Sequence, residues 1–192
     1  MAEIVLFHHV LGLTPGIRAF ADELSGAGNI VHTPDLFDGH TFPTLDEGMA
    51  YARSVGFETI LDRGVFAAES LAPELVYAGF SMGVMPAQKL VQTRKGARGA
   101  LFFDSCLPVT EFGSEWPEGV PVQVHGMEAD PIFAGEGDLD AARDLVDSTD
   151  QAELFLYPGD VHVFADSSLP WYDKAAAELM TSRVLGFLST ID

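Results

Sequence analysis

Short runs of apolar residues, without polar alternation, recur along the chain and are separated by longer segments of helical periodicity. Strands of this kind are covered on both faces, as in a parallel sheet, because neither face can be left to water. The runs cover residues 3–8, 29–33, 75–80, 99–104, 120–126 and 153–157. The pattern therefore predicts a buried, mostly parallel sheet of about six or seven strands.

The intervening segments carry apolar residues at helical spacing, and two of them begin with recognisable caps. Thr14 precedes Pro15, which suits the first helical position, and Thr44 stands three residues before Glu47 in a capping-box pattern. Predicted helices cover residues 15–26, 44–54, 57–71, 82–93, 138–146 and 170–188. The last one is expected to bury Trp171, Ala175, Leu179, Val184, Leu185 and Leu188. Alternating strands and helices predict an α/β fold with helices on both faces of the sheet.

Composition narrows the class of protein. The 192 residues, 47% of them hydrophobic, suit one domain over residues 1–192 with a sizeable core. A net charge of −19 disfavours nucleic acid and anionic membrane surfaces as partners. The chain shows neither a membrane-length apolar run nor a signal-peptide pattern at its start. The single cysteine, Cys106, excludes an internal disulfide and suits the cytoplasm.

The pentapeptide Gly79-Phe80-Ser81-Met82-Gly83 lies between a predicted strand and a predicted helix. It fits G-x-S-x-G, in which a sharp turn exposes a serine hydroxyl above the end of a sheet. Glycines are required on either side because a side chain there would meet the neighbouring strand or helix. The competing interpretation is an ordinary strand-to-helix turn in which Ser81 only caps the helix.

A serine nucleophile needs a base and an acid that orients it, and both are expected beyond later strand ends. His162 lies in the loop after the last predicted strand, which suits the order serine, acid, histidine. Asp130 follows the strand at 120–126 and is the favoured acid. Asp104, at the end of the preceding strand, and Glu128 are the competing candidates.

Two backbone N–H groups are expected to form an oxyanion hole. One belongs to Met82, directly after the nucleophile, and the other to Val10, in the loop after the first strand. Candidate walls of a substrate pocket are His9, Phe37 and Phe133, with Trp116 and Trp171 also considered. The aromatic residues among them fit a place in the core at least as well.

Five segments together resemble the dienelactone hydrolase family of α/β-hydrolases. These are residues 7–13 (FHHVLGL), 34–37 (PDLF), the Ser81 pentapeptide, 125–130 (HGMEAD) and 157–164 (YPGDVHVF). The resemblance implies a three-layer α/β-hydrolase fold without a large cap domain and a Ser81–Asp130–His162 triad. It also implies hydrolysis of an ester or lactone without a metal or an organic cofactor.

Three positions depart from the best-known members of that family. Those members carry cysteine where this chain has Ser81, glutamate where it has His9, and arginine, which holds a substrate carboxylate, where it has Asp166. The expectation is therefore a serine esterase or lactonase acting on a small molecule, as a monomer or small homo-oligomer. Alternatives are a non-catalytic ligand-binding protein of the same fold, or its use as a thioesterase or perhydrolase.

Overall fold

The computed structural model describes residues 1–191, which form one six-stranded sheet with helices on both faces. The strands are β1 (Glu3–Phe7), β2 (Ile30–His32), β3 (Val76–Phe80), β4 (Gly99–Phe103), β5 (Val122–Met127) and β6 (Ala152–Tyr157). Their spatial order is β2-β1-β3-β4-β5-β6, and every neighbouring pair is parallel. The predicted parallel sheet is confirmed, with six strands.

Six α-helices connect or follow the strands. They are α1 (Pro15–Gly26), α2 (Leu45–Val55), α3 (Phe57–Glu69), α4 (Val84–Thr93), α5 (Asp138–Ser148) and α6 (Lys174–Leu188). The two predicted threonine caps are present: the hydroxyl of Thr14 accepts from Ile17 N at 3.2 Å, and that of Thr44 from Glu47 N at 3.3 Å. Each hydroxyl satisfies an N–H group that a helix start leaves without an intrahelical acceptor.

Apolar side chains form one core on each face of the sheet, because successive strand residues point to opposite faces. Phe7 and its neighbours on one face pack with residues of α2 to α5, among them Ile60 and Leu90. Leu6 and its neighbours on the other face pack with residues of α1 and α6, among them Leu24 and Met180. This three-layer arrangement leaves the carboxyl ends of all six strands at a common edge, where functional groups of parallel sheets collect.

The prediction for the last helix was wrong in its start and partly in its buried face. The helix begins at Lys174, after Asp173, whose side chain accepts from Ala176 N at 3.0 Å. Ala175 is exposed and Leu179 is 48% exposed. The buried residues are Ala177, Met180, Thr181, Val184, Phe187 and Leu188. Apolar residues occupy several faces of this helix, so their spacing alone does not define the face that packs.

The length and polarity of the helices bear on membrane insertion. Within residues 1–191, no helix is long and apolar enough to span a bilayer.

Candidate active site

The turn after β3 has the strained geometry that the pentapeptide predicted. Ser81 has a φ of 49°, in the left-handed region that residues with side chains rarely adopt. A side-chain carbon on Gly79 would collide with the carbonyl group of Gly83, and one on Gly83 would collide with the carbonyl oxygen of Phe7. The two glycines therefore let the turn pack tightly against the end of β1 and hold Ser81 at the carboxyl edge of the sheet.

Ser81, His162 and Asp130 are joined by a continuous chain of hydrogen bonds. The hydroxyl Oγ of Ser81 lies 2.8 Å from Nε2 of His162, and Nδ1 of His162 lies 2.6 Å from Oδ2 of Asp130. The other carboxylate oxygen of Asp130 accepts from Ile132 N at 2.9 Å. A carboxylate at Nδ1 places the ring proton there, so Nε2 is free to accept the serine proton.

The surroundings of His162 favour its protonated form. Burial alone would lower the pKa of His162, but the hydrogen bond that it donates to Asp130 and the charges of Asp104, Asp130 and Asp138 outweigh this effect and raise that pKa. A histidine placed in this way accepts a proton more readily than a free one, because the neighbouring carboxylates stabilise the resulting imidazolium.

Asp104, the competing acid, lies at the end of β4 but does not bind the imidazole. It is fully buried, with a φ of 57°, and neither carboxylate oxygen has a hydrogen-bond partner among residues 1–191. Burial, reinforced by the charge of Asp130 and opposed by that of His162, raises the pKa of Asp104 to about 7. Asp130 therefore forms a hydrogen bond with the imidazole of His162. Asp104 forms none with it but lies close enough to influence its charge.

The two predicted oxyanion donors lie on either side of the close contact between the turn and β1. The Met82 amide is among the first N–H groups of a short 3₁₀ turn, Ser81–Gly83, which runs into α4. The Val10 amide, in the loop after β1, donates to no protein acceptor in the described part of the chain. A side-chain carbon on Gly48 of α2 would collide with the carbonyl oxygen of Val10, so α2 packs directly on this loop.

His9, Phe37 and Phe133 do not line a substrate pocket, which corrects the prediction for all three. Each is 0% exposed. The Phe37 ring packs edge-on against His8 at 5.1 Å between centroids, and Phe133 fills the space next to Gly126 that a side chain there would occupy. His9 is directed to Asp166, at 2.9 Å.

A cavity of about 440 Å³ opens beside His162. Its lining comes from the start of α2, the loop after β5 and the loops around His162: Thr44, Leu45, Asp46, Pro131, Ile132, Asp160, Val161, His162 and Trp171. Trp171 was considered as a wall from the sequence, whereas Leu45, Ile132 and Val161 were missed. The signal for the last two was their place next to Asp130 and His162 in loops after strands.

Two other openings lie at the opposite edge of the sheet. Two cavities of about 650 and 730 Å³ share residues 117–120, and Trp116 lines the first of them. Trp116 therefore lines an opening that is separate from the cavity beside His162. Within residues 1–191, no group of three or more histidine, cysteine, aspartate or glutamate side chains is arranged to hold a metal ion.

Comparison with known families identifies one that matches the whole chain. A sequence model of the dienelactone hydrolase family matches residues 1–192. The chain belongs to the dienelactone hydrolase family. Membership places it among hydrolases that act on ester bonds.

Solved structures of low sequence identity share the fold of this family member. A candidate dienelactone hydrolase from Klebsiella pneumoniae subsp. pneumoniae has a TM-score of 0.73 at 18% identity, over 99% of this chain and 87% of that one. A dienelactone hydrolase-like promiscuous phosphotriesterase from metagenomic libraries has a TM-score of 0.71 at 17% identity, over 100% and 87%. Esterase 2 of Thermogutta terrifontis, phosphonylated by cyclosarin, has a TM-score of 0.71 at 14% identity, over 98% and 82%. No curated protein sequence matches the chain significantly.

Proposed function

We propose that this member of the dienelactone hydrolase family is a serine hydrolase that cleaves a small carboxylic ester or lactone through an acyl-enzyme on Ser81. The observation that carries the proposal is the hydrogen-bond chain from Ser81 Oγ to His162 Nε2, at 2.8 Å, and from His162 Nδ1 to Asp130 Oδ2, at 2.6 Å. A strained serine in contact with an oriented base is the arrangement that nucleophilic acyl transfer requires.

The reaction proceeds in two halves. Ser81 Oγ attacks the carbonyl carbon while His162 takes its proton, and Asp130 stabilises the imidazolium. The Met82 and Val10 amides donate to the oxyanion of the tetrahedral intermediate, which collapses as His162 protonates the departing alcohol oxygen. Water then attacks the acyl-enzyme while His162 takes its proton, and the carboxylic acid leaves as Ser81 regains its hydrogen. These steps need no metal or organic cofactor.

A covalent probe tests this assignment directly. An alkyl fluorophosphonate places its phosphorus where the carbonyl carbon would react. Ser81 Oγ forms a bond to phosphorus while His162 takes its proton and fluoride leaves, which gives a stable adduct. We expect one adduct per chain on the peptide that contains Ser81, measured by mass spectrometry of the intact protein and of its digest.

Hydrolysis of p-nitrophenyl acetate should be lost in step with this labelling. Replacement of Ser114, an exposed serine at the far edge of the sheet, should leave labelling and hydrolysis unchanged. If wild-type protein remains unlabelled while it hydrolyses the ester, the acyl-enzyme proposal is wrong. If it neither reacts nor hydrolyses esters, the ligand-binding alternative replaces it.

The charge on the substrate should affect the rate in a defined direction. The cavity beside His162 is lined mainly by apolar groups, with carboxylates at Asp46 and Asp160 and no lysine or arginine. For aryl esters of matched size, kcat/KM is expected to be about three- to tenfold higher for a neutral acyl group than for one ending in a carboxylate, as expected for partly screened charges.

Added salt and charge removal should both narrow that difference. The double variant Asp46→Asn, Asp160→Asn should raise kcat/KM for the anionic ester and leave the neutral one within about twofold. The preference is measured from initial rates at low and high ionic strength. Faster hydrolysis of the anionic ester by wild-type protein would contradict it.

A further inference from the structure

A buried hydrogen bond joins two loops that the proposed reaction depends on. His9 belongs to the loop after β1, and Asp166 belongs to the loop between β6 and α6, which also carries His162. Nε2 of His9 lies 2.9 Å from Oδ2 of Asp166, and both side chains are 0% exposed. The contact spans 157 positions of sequence, so it is formed only by the folded chain.

Asp166 is held as a fixed, ionised acceptor. Its Oδ2 also accepts from Thr14 Oγ1 at 2.5 Å, and its Oδ1 accepts from the hydroxyl and the amide of Ser168, at 2.6 and 2.9 Å. Burial alone would raise the pKa of Asp166, but hydrogen bonds from His9, Ser168 and Thr14 lower it to about 2. The carboxylate is therefore charged at neutral pH, and hydrogen bonds hold both of its oxygens.

The ring of His9 uses both nitrogens. Nε2 faces a carboxylate and so carries the proton, and Nδ1 accepts from the Leu11 amide at 3.3 Å. The carbonyl of the same residue accepts from Gly12 N at 3.0 Å. The Val10 amide is a proposed oxyanion donor. Val10 is thus held on both sides, by its peptide bond to His9 and by the hydrogen bond that the next residue, Leu11, donates to the His9 ring.

Resting on the proposed function, we propose that His9 and Asp166 are positioning residues that hold the Val10 amide in register with His162. Asp166 N donates to Val163 O at 3.2 Å, which fixes the carboxylate relative to the residue next to His162. The His9 ring then transmits that position to the loop of Val10. Neither side chain touches the substrate; they set the distance between an oxyanion donor and the catalytic base.

Two substitutions of His9 separate its two contacts. In His9→Asn, the amide oxygen can replace Nδ1 as acceptor for Leu11, but the donor to Asp166 is lost. In His9→Gln, the amide nitrogen can replace Nε2 as donor to Asp166, but the acceptor for Leu11 is lost. We expect His9→Asn to lower kcat about tenfold with KM within about twofold, less than the removal of a whole oxyanion donor costs, and His9→Gln to lower kcat by about threefold.

A transition-state analogue reports on the oxyanion hole itself. The inhibition constant of a trifluoromethyl ketone, whose hemiketal oxygen occupies that hole, should rise in His9→Asn by about the factor by which kcat falls. Asp166→Asn should act through the same contact. The double variant His9→Asn, Asp166→Asn should therefore cost much less than the product of the two single effects.

Loss of stability is separated from loss of positioning by a matched control. Asn29 makes two hydrogen bonds at the opposite end of the sheet, with Ala2 N and Leu24 O. Asn29→Ala should lower the melting temperature and leave kcat and the inhibition constant unchanged. Equal kcat losses in Asn29→Ala and His9→Asn at equal destabilisation, or a kcat within twofold of wild type in both His9 variants, would overturn the inference. Fluorophosphonate labelling of Ser81 in the same proteins keeps this outcome distinct from failure of the proposed acyl-enzyme.

Discussion

Replacing Ser81 by alanine is expected to lower kcat for ester hydrolysis by at least about a thousandfold. In the proposed mechanism the Ser81 hydroxyl is the nucleophile, and its 2.8 Å contact with His162 activates it. The remaining rate should come from substrate binding and from the amides of Met82 and Val10, which the substitution leaves in place. The measurement is steady-state hydrolysis of p-nitrophenyl acetate and of a lactone by protein with unchanged circular dichroism.

Combining variants shows whether the groups act as one unit. His162→Asn should cost about as much as Ser81→Ala, and the double variant should be hardly worse than either, because removing one member already disables the pair. Ser114→Ala serves as the control for loss of a serine hydroxyl. A Ser81→Ala protein that keeps a tenth or more of the wild-type rate would assign the nucleophile to another residue.

Replacing Asp104 by asparagine is expected to stabilise the protein at pH 8 and to do so far less at pH 5. Its carboxyl is buried without a hydrogen-bond partner within residues 1–191, and its pKa is raised from 3.8 to about 7. The native state therefore binds a proton that the unfolded state releases between these two values. Stability falls as the pH rises from 3.8 to 7, by about 4 kcal/mol in total for this group.

Asparagine removes that dependence because its side chain does not titrate, and it tolerates the positive φ of 57° at this position. The difference in unfolding free energy between Asp104→Asn and wild type should rise by about 3 kcal/mol between pH 5 and pH 8. The buried amide lacks partners as the carboxyl does, at a cost of about 1–3 kcal/mol that is the same at both pH values. Urea unfolding at the two pH values measures this difference.

A chain of net charge −19 also gains from losing any negative charge. Asp22→Asn, on the exposed surface of α1, measures that general contribution. Its unfolding free energy relative to wild type should change by only a few tenths of a kcal/mol between pH 5 and pH 8. A pH-independent effect of Asp104→Asn would show that the carboxyl is ionised or protonated equally in both states.

The sequence was sufficient to predict the sheet and the side chains that lie at its carboxyl edge. Ser81, Asp130 and His162 each follow a buried apolar strand, and parallel strands bring such positions together whatever the details of packing. The choice between Asp130 and Asp104 was harder, because both follow strands. It depends on loop length and backbone direction, which place only Asp130 against Nδ1.

The pocket walls could not be read from the sequence in the same way. Phe37 and Phe133 lie in loops near the triad, yet both turn inwards, because an aromatic side chain in a loop gains more by joining an existing core than by facing water. Leu45 and Ile132, which line the cavity beside His162, are ordinary aliphatic residues, and no motif in the sequence marks them as pocket walls. Leu179 shows the same limit, since apolar spacing in α6 fits more than one face.

The packing of α2 on the loop of Val10 constrains how this enzyme can be re-engineered. Gly48 brings the helix backbone against the Val10 carbonyl, and the first residues of the same helix line the cavity beside His162. A library at Thr44 and Leu45 would therefore tend to change selectivity and turnover together. Directed evolution of new substrate preferences should start instead at Ile132 and Val161, which line the same cavity from loops outside α2.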